Sequence, residues 1–322
     1  MRGYGAAWLF IVSVALFVTS TMAISSNATP AVSGKSKSGT SVASQLDQAR
    51  ELVLKGEKLE ALSLLSKSYK SGFENSAKSQ ARAEYLKTWE ELANLFLTDK
   101  AQNHFSLAES FWLSRPKEAV EFLQTASQQE PGNLQIAVLG ARAALRAQDC
   151  MRAESFSKDA EKIFAPGLEV RLVRLQSQLC TLRTQAQAPP LNIKLLSETG
   201  ESWGEFDSAV RALVVGDLWR RGDVKAARAA VTAWETQAVG DPEMWYWKWK
   251  VSDAETEETG SKGSKTASRG TKVKDRTAAR SYLRICNELT PRRRKNFSMH
   301  PELCLWTETV ESDLKSGEKL GL

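Results

Sequence analysis

From Gln45 onward apolar residues recur three and four positions apart, as in Leu52, Leu59, Leu62 and Leu65, then Leu92, Leu95 and Phe96. That period is the signature of amphipathic helices, and alternating β-branched runs bounded by turn residues are missing. The few prolines punctuate this pattern. Pro116 and Pro242 suit the first turn of a helix, where a missing N–H costs nothing. Asp241 is a good cap in front of Pro242. Pro131-Gly132-Asn133 reads as a stop, a turn and a fresh cap.

The helices repeat a frame. The stretch Lys117 to Ala126 carries Ala119 and Ala126 and ends at Pro131; Thr277 to Cys286 carries Ala279 and Cys286 and ends at Pro291. The frame also fits Ala153, Ser157, Ala160 and Ala165, then Ala227, Val231, Trp234 and Val239, and more loosely Ala61, Leu65, Ser68 and Phe73. Small residues at such positions let antiparallel helices lie about 8–10 Å apart. Two glycine turns precede the frame: Lys55-Gly56-Glu57-Lys58-Leu59-Glu60-Ala61 and Arg221-Gly222-Asp223-Val224-Lys225-Ala226-Ala227. In these features the chain resembles the tetratricopeptide repeat family, whose unit is a two-helix hairpin of about 34 residues. Ala119 to Ala153 spans 34 residues, one unit. Ala61 to Ala119 is longer, which predicts an extra helix over about Ala77 to Leu97. Ala153 to Ala227 leaves room for a degenerate repeat near Gln187. The excess before Ala279 falls in residues 255–274, a Gly/Ser/Thr/Lys-rich run that reads as a disordered insertion.

The resemblance implies an all-α fold: an irregular solenoid of TPR-like helical hairpins with a C-terminal capping helix, expected over Pro301 to Leu314. The expected organisation is a signal peptide over residues 1–23 and a flexible leader over 24–44. N-terminal helical repeats would then occupy 45–188, and Trp-rich C-terminal repeats 189–316. The first segment has a short positive start, an apolar core from Ala6 to Val18 and small residues around Thr21-Met22-Ala23, the pattern of a cleaved export signal. An uncleaved membrane anchor is the alternative. A periplasmic or secreted location follows in the first case, membrane attachment in the second.

Net charge is +6 over 322 residues. Such a mild excess without a one-sided basic stripe does not point to nucleic acid, which is not an expected partner. Arg292-Arg293-Arg294-Lys295 reads as charge placed against exposed carbonyls at a helix end. Asn27-Ala28-Thr29 and Asn296-Phe297-Ser298 are glycosylation sequons, which matter only in a eukaryotic host.

Four cysteines in an exported chain invite pairing. Laid on the repeat geometry that the resemblance implies, they pair as Cys150–Cys180 and Cys286–Cys304; the alternative is four small buried thiols. The only histidines, His104 and His300, are far apart, and Pro301 makes His300 a cap rather than a ligand, so no metal is expected. No phosphate cradle, nucleophile elbow or His-Glu-x-x-His run occurs, and neither an enzymatic activity nor a cofactor is expected.

Six of ten tryptophans fall between Trp203 and Trp249, densest in Met244 to Lys250. On a helix Trp245 and Trp249 share one face while Tyr246 and Lys250 share another. In the tetratricopeptide family the first helix of each hairpin lines a groove that holds extended peptides. Carried onto this chain, the groove positions are Gln135, Val138 and Arg142 in one repeat, Ala212 and Trp219 in another, and Glu243, Tyr246 and Lys250 in the next. Arg142, Trp219, Tyr246 and Lys250 are the residues expected to touch a partner. The expected role is a scaffold for protein or peptide segments in an envelope-associated complex. The alternative is a glycan-binding or glycan-active protein that uses the Trp-rich half on peptidoglycan.

Overall fold

The computed structural model describes residues 42–73, 79–182, 190–191, 206–252, 275–288, 304 and 306–319. The N-terminal apolar segment and most of the leader lie outside these residues. So do the region of Gln187, the insertion 255–274, Trp203, the basic run Arg292 to Lys295, His300 and both sequons.

Thirteen helices and no strand occur among the described residues. They are α1 (Val42–Leu54), α2 (Lys58–Gly72), α3 (Gln80–Asn94), α4 (Asp99–Phe111), α5 (Pro116–Gln129), α6 (Leu134–Arg146), α7 (Cys150–Phe164) and α8 (Leu168–Leu182). They continue as α9 (Asp207–Arg220), α10 (Val224–Glu235), α11 (Pro242–Ser252), α12 (Arg276–Glu288) and α13 (Thr307–Lys319). Adjacent helices pack as hairpins, so the fold is all-α and solenoid-like. Helix α1 starts at Val42, inside the segment expected to be leader. The expected extra helix is α3.

Three hairpin turns share one construction. Gly56, Gln148 and Gly222 each adopt positive φ, at 84°, 58° and 77°. In each turn the following residue donates its N–H back five residues: Glu57 to Leu52 O, Asp149 to Ala144 O and Asp223 to Leu218 O. This is the Schellman closure, which satisfies carbonyls that the helix end leaves open. Asp149 and Asp223 then cap the next helix, accepting from the N–H groups of Arg152 and Ala226. Asn133 caps α6 through Ile136 N–H, Pro116 and Pro242 open α5 and α11, and Asp241 accepts from Glu243 N–H at 3.0 Å.

The small residues of the repeating frame face inward. Ala61, Ala119, Ala126, Ala153, Ala160, Ala227 and Ala279 are all fully buried, as is Cys286. Helices do approach closely there: the Ser177 hydroxyl of α8, bonded to its own Val173 O, lies 3.2 Å from Ala153 O of α7. The same economy of volume appears at Gly140 of α6, where a Cβ would sit 2.5 Å from the Phe156 ring. The last frame position behaves differently, since Pro131, Ala165 and Val239 are exposed on the turns that follow their helices. Leu59 and Leu95 are also more exposed than their period suggests, at 55% and 46%. Both sit at helix ends, where less of the side chain is covered, although Leu59 still packs at Gly132.

Helix α3 breaks the linear stacking. It packs not only on α1 and α2 but also on α6 and α7. Its Trp89 is fully buried against Tyr69 and Phe164, with ring centroids 5.8 and 5.3 Å apart. Tyr85, also fully buried, donates its hydroxyl to Leu65 O at 2.7 Å. As a result one continuous core runs from Leu46 to Cys180, with α6 at its centre, buried nearly all round. From α8 onward the core becomes a series of smaller clusters. Leu172, Leu175 and Leu179 of α8 meet Ala209, Val210 and Leu213 of α9 in the first of these, so packing is continuous across the boundary expected at 188/189.

Both expected disulfides are present, Cys150–Cys180 and Cys286–Cys304. They indicate an oxidising, non-cytoplasmic location. The final helix starts at Thr307 rather than near Pro301. Cys304, held to Cys286, has φ of 58°, a left-handed conformation that cannot continue a right-handed helix.

Candidate functional site

Three of the four residues expected to touch a partner converge. Trp219 of α9 and Tyr246 and Lys250 of α11 line one cleft of about 330 Å³. Gly216, Trp219 and Arg220 lie three and four apart, which puts them on one face of α9. Gly216 makes the floor: a Cβ there would lie 3.1 Å from Leu179 of α8 and 3.3 Å from the Trp247 ring. Its missing side chain lets Trp247 lie against the α9 backbone. Trp306, just before α13, and Thr309, in its first turn, form the remaining wall.

The aromatic groups hold one another in place. Tyr246 stacks on Trp306 with centroids 5.7 Å apart and planes 13° apart, and meets Trp247 edge-on at 5.4 Å. Offset and edge-on pairs of this kind each add about 0.5–1.5 kcal/mol beyond area burial. The C-terminal segment is fixed by polar bonds as well. Glu243 accepts from Cys304 N–H at 3.0 Å, and Tyr282 Oη accepts from Trp306 N–H at 3.0 Å. Burial, reinforced by the nearby Glu243 charge, pushes the Tyr282 phenol pKa strongly upward, so it stays neutral in this role. Val310 is fully buried in the same cluster.

The charges at the cleft are unequal in availability. Arg220 is bound to Asp217, which also takes Arg221, and the Asp217 side chain is only 2% exposed. Lys250 is partly exposed, rests over the Trp249 ring at 5.2 Å and has no carboxylate partner among the described residues. Among the described residues no Asp or Glu lines the cleft.

Arg142 lies elsewhere. It lines a second cleft, of about 230 Å³, together with Gln135 and Val138, the other groove positions of its repeat. Helix α3 closes the opposite side of that cleft with Glu90 and Asn94. Arg142 is buried and paired with Glu169 of α8, so it ties α6 to α8. Burial raises the Glu90 pKa, and Glu169 and Glu91 add to the effect. The structure therefore does not bring Arg142 to the Trp-rich cleft. Ala212 is buried in the α9–α11 core, and Glu243 is committed to the Cys304 turn.

Gly216, Trp247, Trp306 and Leu179 belong to the cleft and were not among the expected groove residues. A glycine in mid-helix beside aromatic runs is the signal that would have found Gly216. The Cys286–Cys304 pairing, once accepted, would have placed Trp306 beside α11 and α12. Among the described residues no cluster of three or more His, Cys, Asp or Glu is arranged to hold a metal ion, and no helix is long and apolar enough to cross a membrane. No family model, no curated protein and no solved structure matches the chain.

Proposed function

We propose that this chain is an exported scaffold of TPR-like helical hairpins that holds protein or peptide segments in an envelope-associated complex, without covalent chemistry. Residues 1–23 direct its export and are removed. The observation that carries this reading is the convergence of Trp219, Tyr246 and Lys250 in one solvent-open cleft. Tyr and Trp offer large contact area with a polar handle, the make-up of interface hot spots. The buried small residues and the repeated Gly turns support the hairpin relationship. The two disulfides agree with an extracytoplasmic site of action.

A photoreactive side chain in place of Trp219 tests the reading in the producing cell. It is expected to trap discrete protein adducts that vanish when the same group replaces exposed Lys87 on α3. Absence of any protein adduct at position 219 overturns it. A glycan-binding role is the second reading, because Trp219, Trp247 and Trp306 share one cleft and sugar rings stack on such faces. Saturable retention on purified sacculi, lost in Trp219→Ala and Trp306→Ala, would select it.

A further inference from the structure

We infer that the Trp219–Lys250 cleft takes an internal acidic peptide segment of a partner, seating one aromatic side chain while a flanking Asp or Glu pairs with Lys250. This deepens the scaffold reading and rests on it. The apolar lining is Leu179, Trp219, Trp247 and Trp306, with Gly216 as the floor against which Leu179 and Trp247 pack. A volume of about 330 Å³ is at the small end of binding pockets, suited to a single anchoring side chain rather than a long ligand.

The polar part is charge complementarity. Among the described residues the cleft is lined by two cations and no anion. Arg220 is already neutralised by Asp217 at 2.8 Å. Lys250 has no carboxylate partner among the described residues; it lines the cleft, and its ammonium lies 5.2 Å from the centroid of the Trp249 ring. An ammonium beside an aromatic wall selects a carboxylate next to an apolar group. A chain terminus is the less suitable source. Terminal carboxylates are captured by groups of free backbone N–H donors. Here the N–H groups of Cys304 and Trp306, which head the C-terminal wall, are already bonded to Glu243 and Tyr282.

Fluorescence anisotropy tests this with the purified full chain, both disulfides formed, and a fluorescein-labelled, C-terminally amidated peptide Gly-Ser-Glu-Phe-Glu-Ser-Gly. Saturable binding is expected, weakened by salt. Replacing both Glu by Gln, or Phe by Ser, should reduce it strongly. Trp219→Ala should weaken binding about thirtyfold, the scale of a hot-spot anchor. Lys250→Gln should weaken it about fivefold and remove most of the salt dependence. Lys225→Gln, on the exposed start of α10, should change nothing. Lys250 is partly exposed, so its variant remains informative if Trp219→Ala unfolds by circular dichroism. Equal binding of the Gln peptide, equal binding by Lys250→Gln, stronger binding of a Gly-Ser-Gly-Ser-Phe peptide with a free terminus, or no saturable binding each overturns the inference. If crosslinking at position 219 traps a protein while the acidic peptide fails, the partner chemistry is wrong and the scaffold reading stands. If the peptide binds and no protein is trapped, the scaffold reading falls and the cleft chemistry stands.

Discussion

The two ends of this molecule are built from the same hairpins but hold together differently. Helices α1 to α8 share one core because α3 turns back and plants Trp89 against Phe164 of α7, far away in sequence. Helices α9 to α13 meet mainly their neighbours, and their core is divided into clusters passed from one hairpin to the next. An array of the second kind has stability that is roughly a sum of local terms. The first kind ties distant hairpins into one cooperative unit. The aromatic cleft sits in the second kind, where local opening can occur without loss of the whole fold.

The sharpest way to break this contrast is to remove one buried tryptophan from each region. Trp89 and Trp249 are both about 1% exposed. Either truncation to Ala should cost roughly 3–5 kcal/mol locally. For Trp89→Ala, hydrogen exchange should rise across α1 to α8 together, and a single denaturation transition should shift. For Trp249→Ala the rise should be confined to α11 to α13, with the N-terminal transition unmoved. Equal spreading of both effects would remove the distinction.

A buried charged knot provides a second test. Lys58 pairs with Glu130 at 3.3 Å, both side chains being 5% exposed or less. Glu130 also accepts from Leu97 N–H, Thr98 N–H, the Thr98 hydroxyl and the Asn133 amide. Among the described residues Lys58 has Leu95 O as its one partner besides Glu130. The two deletions should therefore differ. Glu130→Ala strands a buried ammonium and several donors and should cost about 3–5 kcal/mol. Lys58→Met keeps the volume and leaves Glu130 four donors, so it should cost under about 1.5 kcal/mol. Burial also lowers the Lys58 pKa below its ordinary 10.5, against the pull of Glu130. Between the folded and unfolded values the unfolded chain binds the extra proton, so this residue makes stability rise with pH there. Urea midpoints across alkaline pH should show that rise in the native chain and lack it in Lys58→Met.

The disulfides sharpen the contrast at smaller scale. Cys286–Cys304 closes a separation of 18 residues and holds the wall that carries Trp306. Replacing both cysteines by Ser should remove about 2–3 kcal/mol from the C-terminal cluster. Protection should fall in α12 and α13 and Trp emission should shift, while α1 to α8 keep their exchange rates.

The sequence made the hairpins legible because their determinants are local. Gly56 and Gly222 announce turns, Asp223 and Asn133 announce caps, and Ala119 or Ala153 announces a close helix contact. The extra helix α3 could be inferred from spacing, but its return onto α6 and α7 could not. That contact depends on Trp89 and Phe164, whose separation leaves no periodic trace. The cleft was legible in part for the same reason. Tyr246 and Lys250 follow from one helix face; Trp219 and Arg142 both came from groove positions that the resemblance implies, and Arg142 was placed with the others only by assuming one continuous groove. The Arg142–Glu169 pair and the closure of that groove by α3 are long-range facts. Trp306 entered through a disulfide rather than through any period.

The smallest effect concerns the turns themselves. Gln148 holds the same left-handed position as Gly56 and Gly222, with φ of 58°. A side chain in that region costs about 1–2 kcal/mol, of which glycine's greater freedom when unfolded cancels part. Gln148→Gly should therefore stabilise the α6–α7 hairpin by about 0.5–1 kcal/mol. A Cβ at Gly222 would meet nothing within 4 Å, so Gly222→Gln isolates the same backbone term with opposite sign. Chemical denaturation should show the N-terminal transition moving up in the first variant. In the second, exchange should quicken in α9 and α10 alone. If Gly222→Gln also lowered the N-terminal transition, the two regions would be one cooperative unit and the contrast between them would fail.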